Sequence, residues 1–422
     1  MTHDISGDWH GVLNNGSVKV KLGFRLDGAT AWLNTRTEGV VALPLTVLGG
    51  RLAFEAERFN IALDLTPVAG RLEGTCCQSG IAFPVTFERG LAPAVVHAAR
   101  PQTPRPPFSY EVEQIAFAGA DGSQLSGTLT RPPGEGPHPA VVLSNWFGQT
   151  GRDQLVAGHR PFAIWADELT RRGLATLRFD KRGSGGSEGC FEGASTGDFA
   201  ADLACSVAML RDRSDIGAIG LLGHSEGGHI SADVAAADPA ITFCVLMTPT
   251  GVPDEDIPET ELFHVAEAVG GRPLDRQRSI RISRALSQAP KAASRDEILA
   301  RVRGALEPEG VPAVRIEQYA AGAASPWRRY WATYDHTASL RRLTCPTLVV
   351  FAEDDLATSP RVHQAEITAA VAGNPLARIV TLSGLNHFLQ PVITGAPSEY
   401  GDIETTLDPT AIAAVCDWIA AL

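Results

Sequence analysis

The sequence predicts an α/β protein: a mostly parallel sheet flanked by helices, with a helical insertion and a small all-β domain ahead of it. Three observations predict it. From Ala140 onward, near-continuous apolar runs alternate with helical patterns, as strands covered on both faces require. The alternation stops between Met247 and Thr347, where helical patches take over. Residues 1–97 instead hold short runs rich in β-formers, punctuated by Gly and Asn.

A chain of 422 residues exceeds one ordinary core. Residues 1–97, with runs such as Val18 to Leu26, Arg51 to Glu55 and Ile81 to Phe87, read as a β sandwich or partly closed barrel. The adjacent Cys76 and Cys77 alternate faces on such a strand and read as packing residues. Residues 98–109 form a proline-rich connector that is extended and marks a boundary. The α/β core occupies residues 110–252 and 336–422. Glu111 to Phe117 and Leu125 to Thr130 begin it as an antiparallel pair, and Ala140 to Ser144, Leu174 to Asp180, Ala218 to Leu222, Phe243 to Met247, Thr347 to Phe351 and Arg378 to Leu382 continue it. Helices are expected over Phe162 to Leu169 and Asp198 to Arg211. Between the two parts, residues 253–335 read as a helical cap, with helical patches at Leu262 to Val269 and Ile298 to Leu306.

Composition narrows the function. A formal charge of −12 argues against nucleic acid as a partner. No apolar run approaches the length of a spanning helix and Met1 to Asp8 lacks the features of a secretory signal, so the cytoplasm is the expected address and no membrane is implied. Seven cysteines without regular spacing agree with a reducing compartment. No His-Glu-x-x-His or Cys-x-x-Cys is present, so no metal is expected. An edge strand of the β domain offers a contact for a homodimer.

The stretch Gly220 to His229 carries the chemistry. It reads as a strand, then Gly-x-Ser-x-Gly, then a helix, the context in which a sharp turn projects a serine hydroxyl from the strand end. Ser225 is the candidate nucleophile. Such a serine needs a base, a carboxylate to orient the base, and backbone donors for the oxyanion. His387 follows the last predicted strand and completes the order Ser, acid, His. His224 and His229 flank the nucleophile and read as inward packing, while His363 reads as a solvated residue at a helix start. Glu353, Asp354 and Asp355 share the turn after a late strand, so position alone does not choose among them. The amide of Glu226, the residue after the nucleophile, is one expected oxyanion donor. The other is expected in the loop after Ser144, where Trp146 is the candidate. The run Arg182 to Gly189 misses the Gly-x-Gly-x-x-Gly register at Glu188 and reads as a turn, not a phosphate cradle.

Together, Phe179 to Ser187, the Gly-His-Ser-Glu-Gly-Gly elbow, the acid loop and Gly384 to Phe388 resemble the α/β-hydrolase superfamily. Within it, the closer resemblance is to bacterial serine carboxylesterases of the EstD-like group, which carry an amino-terminal β domain. Ser325 to Trp327 and Gly395 to Gly401 add to the likeness. The family pattern Gly-x-x-Asp-x-x-Val-Pro-Pro falls on Ala352 to Pro360 and so implies Asp355 as the acid, although Ala352, Thr358 and Ser359 depart from it. The related enzymes have a Gly- and Ser-rich oxyanion loop, where this chain has Asn145-Trp146-Phe147. The resemblance implies cofactor-free hydrolysis of a small-molecule carboxylic ester by Ser225, His387 and Asp355. A thioesterase, lactonase or acyltransferase using the same residues, or a non-hydrolytic biosynthetic enzyme of the fold, are the alternative readings.

Overall fold

A computed structural model describes residues 5–14, 19–35, 39–48, 50–56, 61–78, 81–90, 100–262, 273–292, 294–311, 313–393, 395 and 399–422. The chain divides into two compact units, residues 1–97 with 262–322, and residues 98–261 with 323–422.

In the first unit, strands β1 (Gly7–Asn14), β2 (Lys19–Asp27), β3 (Thr30–Thr35), β4 (Gly39–Pro44), β5 (Thr46–Leu48), β6 (Arg51–Ala56), β7 (Ile61–Val68), β8 (Arg71–Gln78) and β9 (Ile81–Arg89) form one antiparallel sheet. Its order is β4-β3-β2-β1-β9-β8-β7-β6-β5. The two outermost strands, β4 and β5, are separated in the chain only by Leu45. One bent segment therefore supplies both edges, and the sheet is a nearly closed barrel. Period-2 alternation fills it: Leu22, Phe24 and Leu26 are buried while Arg25 and Asp27 are exposed. Phe24 packs edge-on against Phe54 and Phe87 at 5.0 and 4.8 Å. Cys76 is buried in this core; the Cys77 side chain lies outside the described residues. The unit also holds helices α4 (Pro273–Gln288) and α5 (Arg295–Leu306) and most of α6 (Ala313–Ala323). The helix expected over Leu262 to Val269 falls almost wholly outside the described residues.

The connector is more than a tether. Arg100 donates to the carbonyls of Ile403, Ala157 and Gly401 at 2.8 to 2.9 Å, and Gln102 bonds Leu407 in both directions. It is thus fixed to the carboxyl-terminal part of the second unit.

That unit is built on eight strands in the order β10 (Glu111–Ala118), β11 (Gln124–Arg131), β13 (Ala175–Phe179), β12 (His138–Ser144), β14 (Ile216–His224), β15 (Ile241–Met247), β16 (Thr347–Ala352) and β17 (Ala377–Leu382). The first two pairings are antiparallel and the rest parallel. Helices α1 (Pro161–Arg171), α2 (Thr196–Arg211), α3 (Glu226–Ala237), α7 (Pro326–Trp331), α8 (Pro360–Val371) and α9 (Pro409–Ala420) complete it. The apolar runs have a physical cause: Ala140, Val142 and Leu221 join one buried cluster and Val141, Leu143 and Leu222 the other, so both faces of each strand are covered. The capping box of Ser195 and Asp198 starts α2. Between Met247 and Thr347 no described residue is in a strand.

Register brings the loops of the site together. Ser144 pairs with Gly223, His224 with Met247, and Ala352 with Leu382, so the chain leaves β12, β14, β15, β16 and β17 at one edge of the sheet. The order reverses between β12 and β14, where successive connections diverge and open a crevice at the carboxyl ends. Backbone crowding there is severe. A Cβ on Gly227 would lie 2.0 Å from the Ser144 carbonyl oxygen and one on Gly223 1.9 Å from that of Gly227, whereas one on Gly228 would meet nothing nearer than 3.6 Å.

Several buried histidines are neutral parts of this framework. His159 donates through Nε2 to the Tyr400 carbonyl at 2.7 Å and meets the Thr406 hydroxyl at Nδ1. His336 meets the Thr250 hydroxyl. His363 is not the solvated residue that its place at a helix start suggests; it is buried, and its Nδ1 accepts the Gly251 amide at 3.1 Å. Burial lowers each of the three to about 4.

Two outcomes are expected. Gly227→Ala destabilises the protein severely, while Gly228→Ala, inside a helix and unobstructed, is neutral or better in a thermal melt; equal melting temperatures would contradict the close approach. Unfolded histidine titrates near pH 6.5, so between about pH 6.5 and 4 the unfolded chain binds protons that the folded chain refuses. Stability should therefore be full above that window and fall as pH drops through it, giving a lower urea midpoint at pH 5 than at pH 7.5. A midpoint that rises on acidification would refute the neutral assignment.

Candidate active site

Ser225 sits between β14 and α3 with φ 56° and ψ −120°, a left-handed conformation costly for a residue with a side chain. Its amide extends the parallel ladder to the Met247 carbonyl at 2.8 Å, and its carbonyl accepts the Gly228 amide at 2.9 Å. The strand end and the first helical turn thus hold the strain from both sides. The small residues around Ser225 serve close packing: neither Gly223 nor Gly227 has a positive φ, but neither has room for a Cβ.

His387 and Asp355 meet at this edge. His387 Nδ1 lies 2.8 Å from Asp355 Oδ2, and both side chains are almost fully buried. Asp355 is saturated with donors: the amides of Ala357 and Thr358 reach Oδ1 at 2.7 and 2.9 Å, and the Thr358 hydroxyl reaches Oδ2 at 2.6 Å. Burial alone would raise its pKa, but the His387 ring and these donors outweigh it and hold the carboxyl below the usual range. Asp354, half-buried, instead accepts the Gly384 amide at 3.1 Å.

His224, next to Ser225 in the chain, bonds to this pair. Its Nε2 donates to the His387 carbonyl at 2.8 Å, and its ring centre lies 4.8 Å from that of His387. Its Nδ1 therefore accepts, and the Gln154 amide nitrogen stands 2.7 Å away. Burial, then the neighbouring His387, pushes its pKa to about 3. A ring so fixed is a neutral spacer, while His229 bonds the Thr250 hydroxyl at 2.8 Å.

Trp146 packs its ring edge-on against Phe388 at 4.7 Å, and Phe147 beside it is half exposed. Among the described residues, the amides of Trp146 and Glu226 donate to no other group. Beneath them runs a buried ionic chain. Lys181 Nζ donates to the Trp146 carbonyl at 2.6 Å and to Glu226 Oε2 at 3.1 Å, above the Phe199 ring at 4.4 Å. Glu226 Oε1 accepts from Thr196 Oγ1 and from Trp327 Nε1, both at 2.7 Å. The flanking charges are also paired, Asp180 with Arg152 and Arg182 with Asp202, each at 2.6 Å. Gln154, Thr358 and Lys181 are not among the candidate residues; Thr358 shows in the sequence only as a departure from the acid-loop pattern, and Lys181 as one of three charged residues directly after an apolar strand.

A family model described as serine aminopeptidase, S33 (Hydrolase_4), matches residues 160–390, more than half of the chain and a span that includes Ser225, Asp355 and His387. The chain belongs to the Hydrolase_4 family. Its second unit accordingly has the α/β-hydrolase fold. Among curated proteins this Hydrolase_4 chain is similar to Esterase EstD of Thermotoga maritima, 23% identical over 283 residues. That alignment takes in 67% of this chain and 61% of the relative. Among solved structures it is similar to the Pyrococcus furiosus esterase Pf2001 (TM-score 0.47, 14% identity, 74% of this chain and 93% of that one). Another is the α/β hydrolase GrgF from Penicillium sp. sh18 (TM-score 0.43, 19% identity, 66% and 91%).

The two neighbouring aspartates separate cleanly in this geometry. Asp355→Asn should lower kcat for an ester by roughly 10³- to 10⁴-fold by spoiling the hold on the imidazole, whereas Asp354→Asn should leave kcat within a few-fold. Steady-state kinetics on both variants checks this, and the reverse ranking would contradict it.

Proposed function

We propose that the chain is a carboxylic-ester hydrolase working through an acyl-enzyme on Ser225, with His387 as base and Asp355 orienting it. The observation that carries the reading is the buried 2.8 Å contact between His387 Nδ1 and Asp355, together with a serine held at a strained strand-to-helix turn whose chain neighbour His224 packs 4.8 Å from the His387 ring. The name of the EstD relative supports the ester as substrate class.

In the first half-reaction Ser225 Oγ bonds to the acyl carbon and its proton passes to His387 Nε2. The carbonyl electron pair moves onto oxygen, and the amides of Glu226 and Trp146 receive that oxyanion. Asp355 fixes the tautomer and stabilises the imidazolium. Collapse expels the alcohol, which takes the proton from Nε2. Water then repeats the sequence, its proton going to His387, and release of the acid returns Ser225 to its starting state. No step calls for a cofactor or metal.

The six described cysteines are free, and among the described residues no helix is long and apolar enough to cross a membrane. A reducing cytoplasmic address fits the first of these facts.

Ser225→Ala should lower turnover of a short-chain p-nitrophenyl ester by at least about 10⁴-fold. Retained turnover in that variant would end the acyl-enzyme reading.

A further inference from the structure

The run Asp180-Lys181-Arg182 places three charges directly after β13, and the proposed reaction uses none of them. Two close ordinary ion pairs. Lys181 differs because its second partner is the backbone of the loop expected to bind the oxyanion.

We propose that Lys181 is a positioning residue for the oxyanion site: its buried ammonium, neutralised by Glu226, pins the Trp146 carbonyl and so fixes the loop that carries the second amide donor. The inference rests on the acyl-enzyme reading. A peptide unit is planar, so holding the Trp146 carbonyl 2.6 Å from Nζ sets the plane between Trp146 and Phe147 and anchors the residue whose own amide faces the reaction. Charge-assisted bonds of this kind are about twice as strong as neutral ones. The Trp146 ring is packed against Phe388, but that contact leaves the orientation of the backbone to its polar bonds. The loop has no regular structure, and the Asn145 side-chain amide reaches only the carbonyls of Gly151 and Phe179, at 3.2 and 3.4 Å.

The ammonium has no freedom to leave. Phe199 lies under it and the Glu226 carboxylate beside it. Glu226 is itself held by Thr196 and Trp327, and it belongs to the residue whose amide is the first oxyanion donor. One buried ion pair thus ties both donor segments to each other. An apolar pair of similar size would avoid the desolvation cost of two charges, but it would offer the Trp146 carbonyl no donor.

The test measures kcat, KM and the rate of Ser225 phosphonylation by a fluorophosphonate, read by intact mass. The proteins are wild type, Lys181→Met and the double variant Lys181→Met/Glu226→Gln. The double variant has no unpaired buried charge and should keep the wild-type melting temperature, so it carries the test if Lys181→Met fails to fold. Both variants should lose about 10- to 100-fold in kcat and in phosphonylation rate, with KM within about twofold of wild type. Recovery of wild-type kcat in the double variant would show that the pair serves folding only and overturn the proposal. So would phosphonylation of Lys181→Met at the wild-type rate. A wild-type protein that takes no adduct would instead remove the acyl-enzyme reading, and the role of Lys181 with it.

Discussion

Helix α3 leaves Ser225 so close to the end of β12 that the Gly227 backbone lies against the Ser144 carbonyl with no space for a side chain. Much of the site follows from this contact. It forces the sharp turn that gives Ser225 its positive φ. It also brings the first turn of α3 beside the loop leaving β12, the two segments proposed to supply the oxyanion donors. The parallel register of β14, β15, β16 and β17 then delivers the acid and histidine loops to the same edge. The strain at Ser225 is sustained because ladder bonds on one side and the helix on the other leave the backbone no alternative.

The electrostatics around that contact follow one rule: each charge buried near Ser225 has a partner. Asp355 takes three bonds from its own turn besides the one to His387. Lys181 and Glu226 compensate one another, as do Arg182 and Asp202. His224 bonds neutral groups, the His387 carbonyl and the Gln154 amide, and burial outweighs the nearby Asp355 charge to keep it neutral. Removing one member of such a pair leaves a buried charge exposed to no solvent, which is why single charge deletions here should be far more damaging than double ones.

Those features that depend on local pattern are legible in the sequence. Continuous apolar runs follow from strands covered on both faces, and the strand, turn and helix around Ser225 follow from glycine placement. What stayed hidden depends on distant partners. Asp354 and Asp355 share one turn, so position alone does not separate them and only the family pattern implies Asp355; in the fold Asp355 meets His387 while Asp354 accepts the Gly384 amide. His363 sits where a helix starts and looks solvated, yet the Gly251 amide, more than a hundred residues away, meets its ring. Sandwich and barrel were equally open for residues 1–97, because closure depends on β4 and β5 being two halves of one bent segment, a fact of pairing rather than of periodicity. Lys181 stood in plain view within its charged run, but one of its acceptors is a backbone carbonyl, which leaves no mark in a sequence, and the other is a carboxylate 45 residues away.

The most direct test of the central claim is a crystal structure of the protein phosphonylated on Ser225. The account predicts the phosphoryl oxygen about 3 Å from the amides of both Glu226 and Trp146, with Lys181 still on the Trp146 carbonyl and His387 still on Asp355. A phosphoryl oxygen turned away from those amides, or an adduct carried by another residue, would contradict it.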